Sequence, residues 1–248
     1  MINIKDKREL QIMRDSGKIA AQCLEFLISQ VVVGNTPLML DQWAEQFIAE
    51  KGGIPSFKGY MGYPASLCIS VNEEVVHGIP TSRPFREGDL VSIDIGVIYQ
   101  GYHSDMAVTV PVGKISKEKE KLISVTKEAL NKGIEQARAG NHVSDISHVI
   151  QKYAEKNSFS VVRDLVGHGV GKNLHEEPQV PNHGKPGEGP VLEPGMTIAI
   201  EPMVNMGDAK VKVKDDKWTV VTVDMMPSAH FEHTIVVTEN GAEVLTLP

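Results

Sequence analysis

Four acids stand where acids are costly. Asp94 falls in Val91-Ser92-Ile93-Asp94-Ile95-Gly96, Asp105 follows Tyr102-His103-Ser104, Glu201 precedes Pro202, and Glu232 lies in Phe231-Glu232-His233. Strand interiors disfavour Asp, and an unpaired buried carboxylate is expensive. Taken singly, each acid reads as readily as a paired structural carboxylate or a turn residue. Together they would repel one another unless cations neutralised them, and metal binding removes that difficulty. His168, in what is expected to be a Gly-rich loop, Gly167-His168-Gly169-Val170-Gly171, completes the set. A lone His beside glycine is more often a turn or hydrogen-bonding residue, but the Gly-His-Gly setting lets backbone and ligand approach closely. Four carboxylates and one imidazole form a hard, oxygen-rich set. It favours manganese, iron(II), cobalt or zinc over copper and excludes a closed structural zinc site. Four carboxylate charges offset two divalent ions, and a bridging hydroxide then forms easily.

The elements that would position these groups repeat within the chain. Arg86-Glu87-Gly88-Asp89-Leu90-Val91-Ser92-Ile93-Asp94 aligns without gaps on Glu193-Pro194-Gly195-Met196-Thr197-Ile198-Ala199-Ile200-Glu201. In each copy a Gly turn leads into an alternating strand, and an acid stands six residues after the Gly. Each acid is followed by a second one expected to open another strand: Asp105 before Ala107–Val110, and Glu232 before Thr234–Thr238. Further strands are expected at Leu67–Val71, Leu90–Val97, Val161–Val166, Thr197–Ile200 and Thr219–Val223. A first helix is expected from about Lys7 to Gln30, with Asp6 and Glu9 as a capping pair and Leu10, Met13, Ala20, Leu24 and Leu27 on one face. A second follows Thr36-Pro37 and stops at Gly52-Gly53. A third runs from Ser116 to Gly140, and a fourth from about Ser144 to Asn157. These blocks predict an α+β architecture with mainly antiparallel sheet. Two similar halves, about 1–112 and 113–248, each with two helices before its acidic strand pair, would form one catalytic domain around a pseudo-two-fold axis.

Composition excludes several function classes. The 248 residues are 41% apolar and 23% charged, which is ordinary for a soluble globular protein. The net charge of −7 comes with no basic run, so a nucleic-acid groove is not expected. No apolar stretch approaches the roughly 18 residues of a membrane helix, and the start shows no signal-peptide pattern. Cys23 and Cys68 make no metal-type pair, and a reducing cytoplasm is the expected compartment.

The order Asp94, Asp105, His168, Glu201, Glu232 resembles the five-ligand set of type I methionine aminopeptidases, metallopeptidases of the pita-bread fold. The strings Cys68-Ile69-Ser70-Val71-Asn72, His77-Gly78-Ile79-Pro80, Leu174-His175-Glu176-Glu177-Pro178 and Phe231-Glu232-His233-Thr234 extend it from about residue 5 to the C-terminus. The resemblance implies removal of the first methionine from nascent polypeptides, a step of protein maturation, with a small second residue preferred. Asp94 would chelate one of two divalent metals, Asp105 and Glu232 would bridge both, and His168 with Glu201 would hold the other. Glu201 would also carry the proton released as a metal-bridging hydroxide attacks. His175 would stabilise the oxyanion and His77 would meet the scissile amide or leaving amine. The methionine pocket would use Tyr60, Tyr63, Cys68, Leu174 and Trp218. Phe57 and Met61 depart from the family pattern, standing where other members have Cys and His.

The nearest rival is an Xaa-Pro aminopeptidase, which shares fold and metals but usually adds an N-terminal domain; this chain is expected to begin directly at its catalytic unit. A non-catalytic pita-bread binding module is a rival of another kind, but relaxed ligand positions would accompany lost catalysis, and all five positions hold competent residues. Nascent-chain N-termini are the expected partners, with the ribosome a candidate docking partner. The protein is expected to be a monomer, because the two halves can bury each other.

Overall fold

The structure, a computed structural model, describes residues 2–248. Its elements run α1 (Lys7–Ser29), α2 (Pro37–Glu50), β1 (Ile54–Pro55), β2 (Leu67–Val71), β3 (Glu74–Val76), β4 (Leu90–Tyr99) and β5 (Tyr102–Pro111). Then come α3 (Lys117–Gln136), α4 (Val143–Lys156), β6 (Ser160–Val161), β7 (Val166–Gly169), β8 (Glu176–Pro181) and β9 (Thr197–Ile200). The chain closes with β10 (Met203–Asn205), β11 (Val211–Val213), β12 (Val220–Thr222), β13 (Ser228–His230), β14 (Glu232–Thr238) and β15 (Gly241–Val244).

Local chemistry starts the helices. Asp6 accepts from the backbone of Arg8 and Glu9 at 2.8 Å each, and the Glu9 carboxylate accepts from Asp6 N–H at 2.8 Å, so three backbone donors at the start of α1 are satisfied. Thr36 accepts from Met39 N–H at 3.2 Å, with Pro37 in the first turn of α2. α1 buries Met13, Ala20, Leu24 and Leu27. Each large side chain buried this way is worth roughly 1.5–3 kcal/mol, which is what holds a helix of marginal intrinsic stability in place.

A nine-stranded antiparallel sheet carries the order β1-β4-β5-β14-β9-β7-β8, with β2 paired to β4 and β15 to β14. Two helix pairs cover it through separate cores. Leu24 and Leu27 of α1 and Leu40 and Ile48 of α2 pack on Val91, Ile93, Ile95 and Val97 of β4. Leu122 and Leu130 of α3 and Ile146 and Ile150 of α4 pack on Ile198 and Ile200 of β9 and Ile235 and Val237 of β14. Side chains alternate between faces along a strand. Ser92, Asp94 and Gly96 of β4 therefore lie on the face away from the helices, as do Asp105 and Ala107 of β5, which alternate with Met106 and Val108.

Three expectations need correction. The run Val161–Val166 is two strands in different sheets, β6 against β10 and β7 in the large sheet, separated by Arg163 and Asp164. Asp105 lies inside β5 rather than ahead of it, because pairing with β4 continues from Tyr102 to Pro111. His168 occupies a buried strand, not a loop. A Cβ on either flanking glycine would lie 2.4 Å (Gly167) or 2.2 Å (Gly169) from a backbone carbonyl oxygen, so tight strand packing demands glycine at both places. Composition alone had suggested a turn.

Candidate metal centre

Register aligns the acids. Cys68 pairs with Asp94, Asp94 with Ala107, and Ala107 with Glu232, so four adjacent strands place these side chains in one row on the face away from the helices. Asp105 follows on that face two residues from Ala107, whose methyl leaves room for the acids on either side. Ile200 pairs with His233, and one further step of that register sets Glu201 across from Glu232. β7 joins through Gly169 against Ile198 and brings in the imidazole of His168. Its Nε2 lies 3.6 Å from Glu201 Oε1 and 4.0 Å from Asp105 Oδ2. Donor atoms of Asp105, His168 and Glu232 all fall within 4.8 Å of one another. Thus the fold brings together all five residues expected to ligate metal, from positions 94 to 232 of the chain.

The electrostatics are those of a site short of positive charge. Asp94 Oδ1, Asp105 Oδ1 and Glu232 Oε1 are buried without a hydrogen-bond partner. Burial pushes Asp94 up to about 7. Burial and then neighbouring carboxylates push Asp105, Glu201 and Glu232 well above the usual carboxylate range. Two unit charges 4 Å apart interact by about 4 kcal/mol at an effective dielectric of about 20, so several acids here cannot all ionise without a cation. His168 is arranged to meet one. Its Nδ1 lies 2.9 Å from the carbonyl of Gly169 and must donate to it. Nε2 is then the bare lone pair facing the acids. Burial lowers His168 to about 3, which keeps that lone pair free. The donors fit a divalent cation.

A cavity of about 200 Å³ opens beside the acids and is lined by all four of them, by His168, and by Leu174 and His175. Phe57, Tyr60, Met61, Tyr63, Cys68, His77 and Trp218 complete its wall, so every residue that the resemblance placed at the site reaches this space. Phe57, Tyr63, Cys68 and Leu174 are buried together as an apolar cluster. Tyr63 donates toward the carbonyls of Leu67 at 3.0 Å and Gly78 at 2.9 Å, and its ring meets Trp218 edge-on at 5.1 Å. His77 adopts a left-handed backbone at φ 59°, followed by Gly78, where a Cβ would lie 2.2 Å from Ile69 O. That turn aims His77 into the cavity, and burial lowers its pKa to about 4. His175 stands at the mouth with its ring 4.2 Å from that of His168, and its Nδ1 is 2.8 Å from the Tyr60 hydroxyl. Met61, also at φ 49°, is 83% exposed and forms the outer lip.

One neighbour of the site escaped the sequence. His230 on β13 is 1% exposed, and its Nε2 lies 3.7 Å from Glu201 Oε2 and 3.9 Å from Glu232 Oε2. Its spacing two residues before Glu232 was the signal that could have revealed it.

Residues 11–239 match the model of metallopeptidase family M24, and the chain belongs to that family. The curated relatives it resembles include methionine aminopeptidase 1 of Bacillus subtilis, 55% identical over 99% of both chains. Methionine aminopeptidase of Clostridium perfringens is 55% identical over 100% of this chain and 99% of that protein. Among solved structures, methionine aminopeptidase of Thermotoga maritima superposes with a TM-score of 0.99 at 48% identity, covering 100% of both chains. The expected α+β pita-bread architecture is that of these M24 relatives. No helix among the described residues is long and apolar enough to cross a membrane.

Proposed function

We propose that this protein removes the N-terminal methionine from polypeptides, using two divalent ions held by Asp94, Asp105, His168, Glu201 and Glu232. The observation that supports this reading most directly is a single cavity with an apolar end and a carboxylate end. Phe57, Tyr63, Cys68, Leu174 and Trp218 would surround one thioether side chain. The acids beside Asp94 would receive the free amino group, which restricts action to the chain end. Divalent ions held there would supply Lewis acidity and make an attacking water easier to deprotonate. Glu201 takes the proton from the attacking water and passes it to the leaving amine. Tyr60 O–H donates to His175 Nδ1, which leaves a proton on Nε2 to stabilise the developing oxyanion. His77, at the other wall, orients the scissile amide. Newly made chains are the substrate class, and the cytoplasm, where they emerge, is the working compartment.

Prolidase of Pyrococcus horikoshii shares the fold, with a TM-score of 0.79 at 24% identity, but this chain covers only 63% of it. A competing preference for Xaa-Pro ends is therefore tested directly. Metal-stripped protein reloaded with manganese, cobalt or iron(II) is offered Met-Ala-Ser, norleucine-Ala-Ser, Met-Lys-Ser and Ala-Pro-Ser. Met-Ala-Ser should be cleaved fastest and norleucine-Ala-Ser measurably more slowly, because an apolar slot discriminates by only about 1–3 kcal/mol per methylene. Preference for Ala-Pro-Ser, or full activity without metal, would overturn the proposal.

A further inference from the structure

His230 is buried with neither ring nitrogen hydrogen-bonded. A buried polar group left unpaired costs about 1–3 kcal/mol, so such an imidazole needs a reason. Its backbone is held rigidly. Thr109 Oγ1 accepts from His230 N–H at 2.8 Å and donates to His230 O at 2.9 Å, while β13 pairs His230 with Met203. The ring is thereby presented to Glu201 from the side opposite His168: Glu201 Oε1 faces His168 Nε2 at 3.6 Å, and Oε2 faces His230 Nε2 at 3.7 Å. Both separations exceed a hydrogen bond. The terminal torsion of a glutamate is soft, however, so rotating the carboxylate to close one gap is cheap.

We propose that His230 is a positioning residue for the metal-facing carboxylates: it carries its proton on Nε2, donates it to Glu201 Oε2, and so turns Oε1 toward the His168 side of the site. This rests on the reading of Glu201 as a metal ligand. Glu232 Oε2, at 3.9 Å, is the second acceptor within reach of the same proton. The arrangement resembles that by which ligand groups at metal sites are oriented by hydrogen bonds from behind, where loss of the partner weakens metal binding about 10–100-fold.

Manganese affinity is measured by chelator competition on the full-length protein, its His230→Ala and His230→Gln variants, with the melting point of each metal-free form recorded alongside. His230→Ala should lower affinity about 10–100-fold while remaining folded. His230→Gln, whose amide can donate to the same carboxylate, should recover most of the loss. In protein labelled with 15N-histidine, His230 should carry its proton on Nε2 both without metal and with zinc bound, a readout that holds even if a variant fails to fold. Unchanged affinity in folded His230→Ala, or a loss that His230→Gln does not repair, would overturn the assignment. So would an Nε2 that is unprotonated in the zinc form, since the ring would then itself be a ligand. Wild-type protein that binds no manganese would instead remove the underlying metal reading.

Discussion

Glu176 and Glu232 each open a strand and each has a largely covered side chain, yet the molecule treats their charges in opposite ways. Glu176 accepts from Lys5 Nζ at 2.6 Å, Asn3 Nδ2 at 3.2 Å and the Asn173 backbone at 3.1 Å. Burial pushes it up, but those donors outweigh burial and hold it below the usual carboxylate range. Glu232 keeps one oxygen without a partner, and burial followed by Glu201 and Asp94 pushes it far upward. The chain supplies the countercharge in the first region and withholds it in the second. Lys5 and Glu176 thus fasten the N-terminal segment beneath the strand that begins beside His175. The acids around Glu232 are left to be balanced by something from outside.

If that contrast is right, neutralising the two glutamates should have different consequences. Glu232→Gln should leave a folded protein with depleted metal and kcat/KM lowered by about 10³-fold or more, since metal stabilisation of the transition state is worth several kcal/mol. Elemental analysis and peptide assays of the purified variant check both parts. Glu176→Gln should do the reverse, costing about 3–5 kcal/mol in urea unfolding because Lys5 becomes a buried charge without a partner, with the metal content of the folded fraction preserved. His175→Ala, one residue away, should lower kcat by about 10²–10³ without altering bound manganese or stability. Loss of metal in that variant would make His175 a ligand and move it to the other side of the comparison.

The two regions should also respond to pH with opposite signs. An acid with a raised folded pKa stabilises the fold while protonated, so its contribution is complete below the ordinary value and disappears as pH rises. For Asp94 this window runs from 3.8 to about 7. Metal-stripped protein should therefore lose melting temperature across that window, and Asp94→Asn should flatten the decline. Glu176, with a lowered folded pKa, contributes stability above its unfolded value and loses it as pH falls through the folded one. The smallest effect is expected from removing the whole ion pair. Lys5→Met combined with Glu176→Leu should change unfolding free energy little, since hydrophobic replacements of buried pairs are often neutral.

Much of the fold was legible because its signals are local. Asp6 with Glu9 and Thr36 with Pro37 start their helices as written, since capping involves neighbours three residues apart. The alternation of Val91, Ile93 and Ile95 with Ser92 and Asp94 separated a helix-covered face from an acid-bearing one. The Val161–Val166 run misled because apolar β-branched residues show extended backbone without showing which sheet each end joins. The two glycines around His168 misled because glycine serves turns and close-packed strands equally well.

The types and spacing of residues determined the donor inventory: four acids at repeated strand positions, one imidazole between glycines, and an apolar set to accompany them. Proximity was decided only by tertiary structure. Asp94 and Glu232 become neighbours through Ala107, a residue of a third strand. The proton of His168 is assigned by a carbonyl 2.9 Å away, and His230 enters the site only once β13 is laid against β10. Charge repulsion and hydrogen bonding depend on separations of a few ångströms, and such separations between residues far apart in sequence are set by strand register.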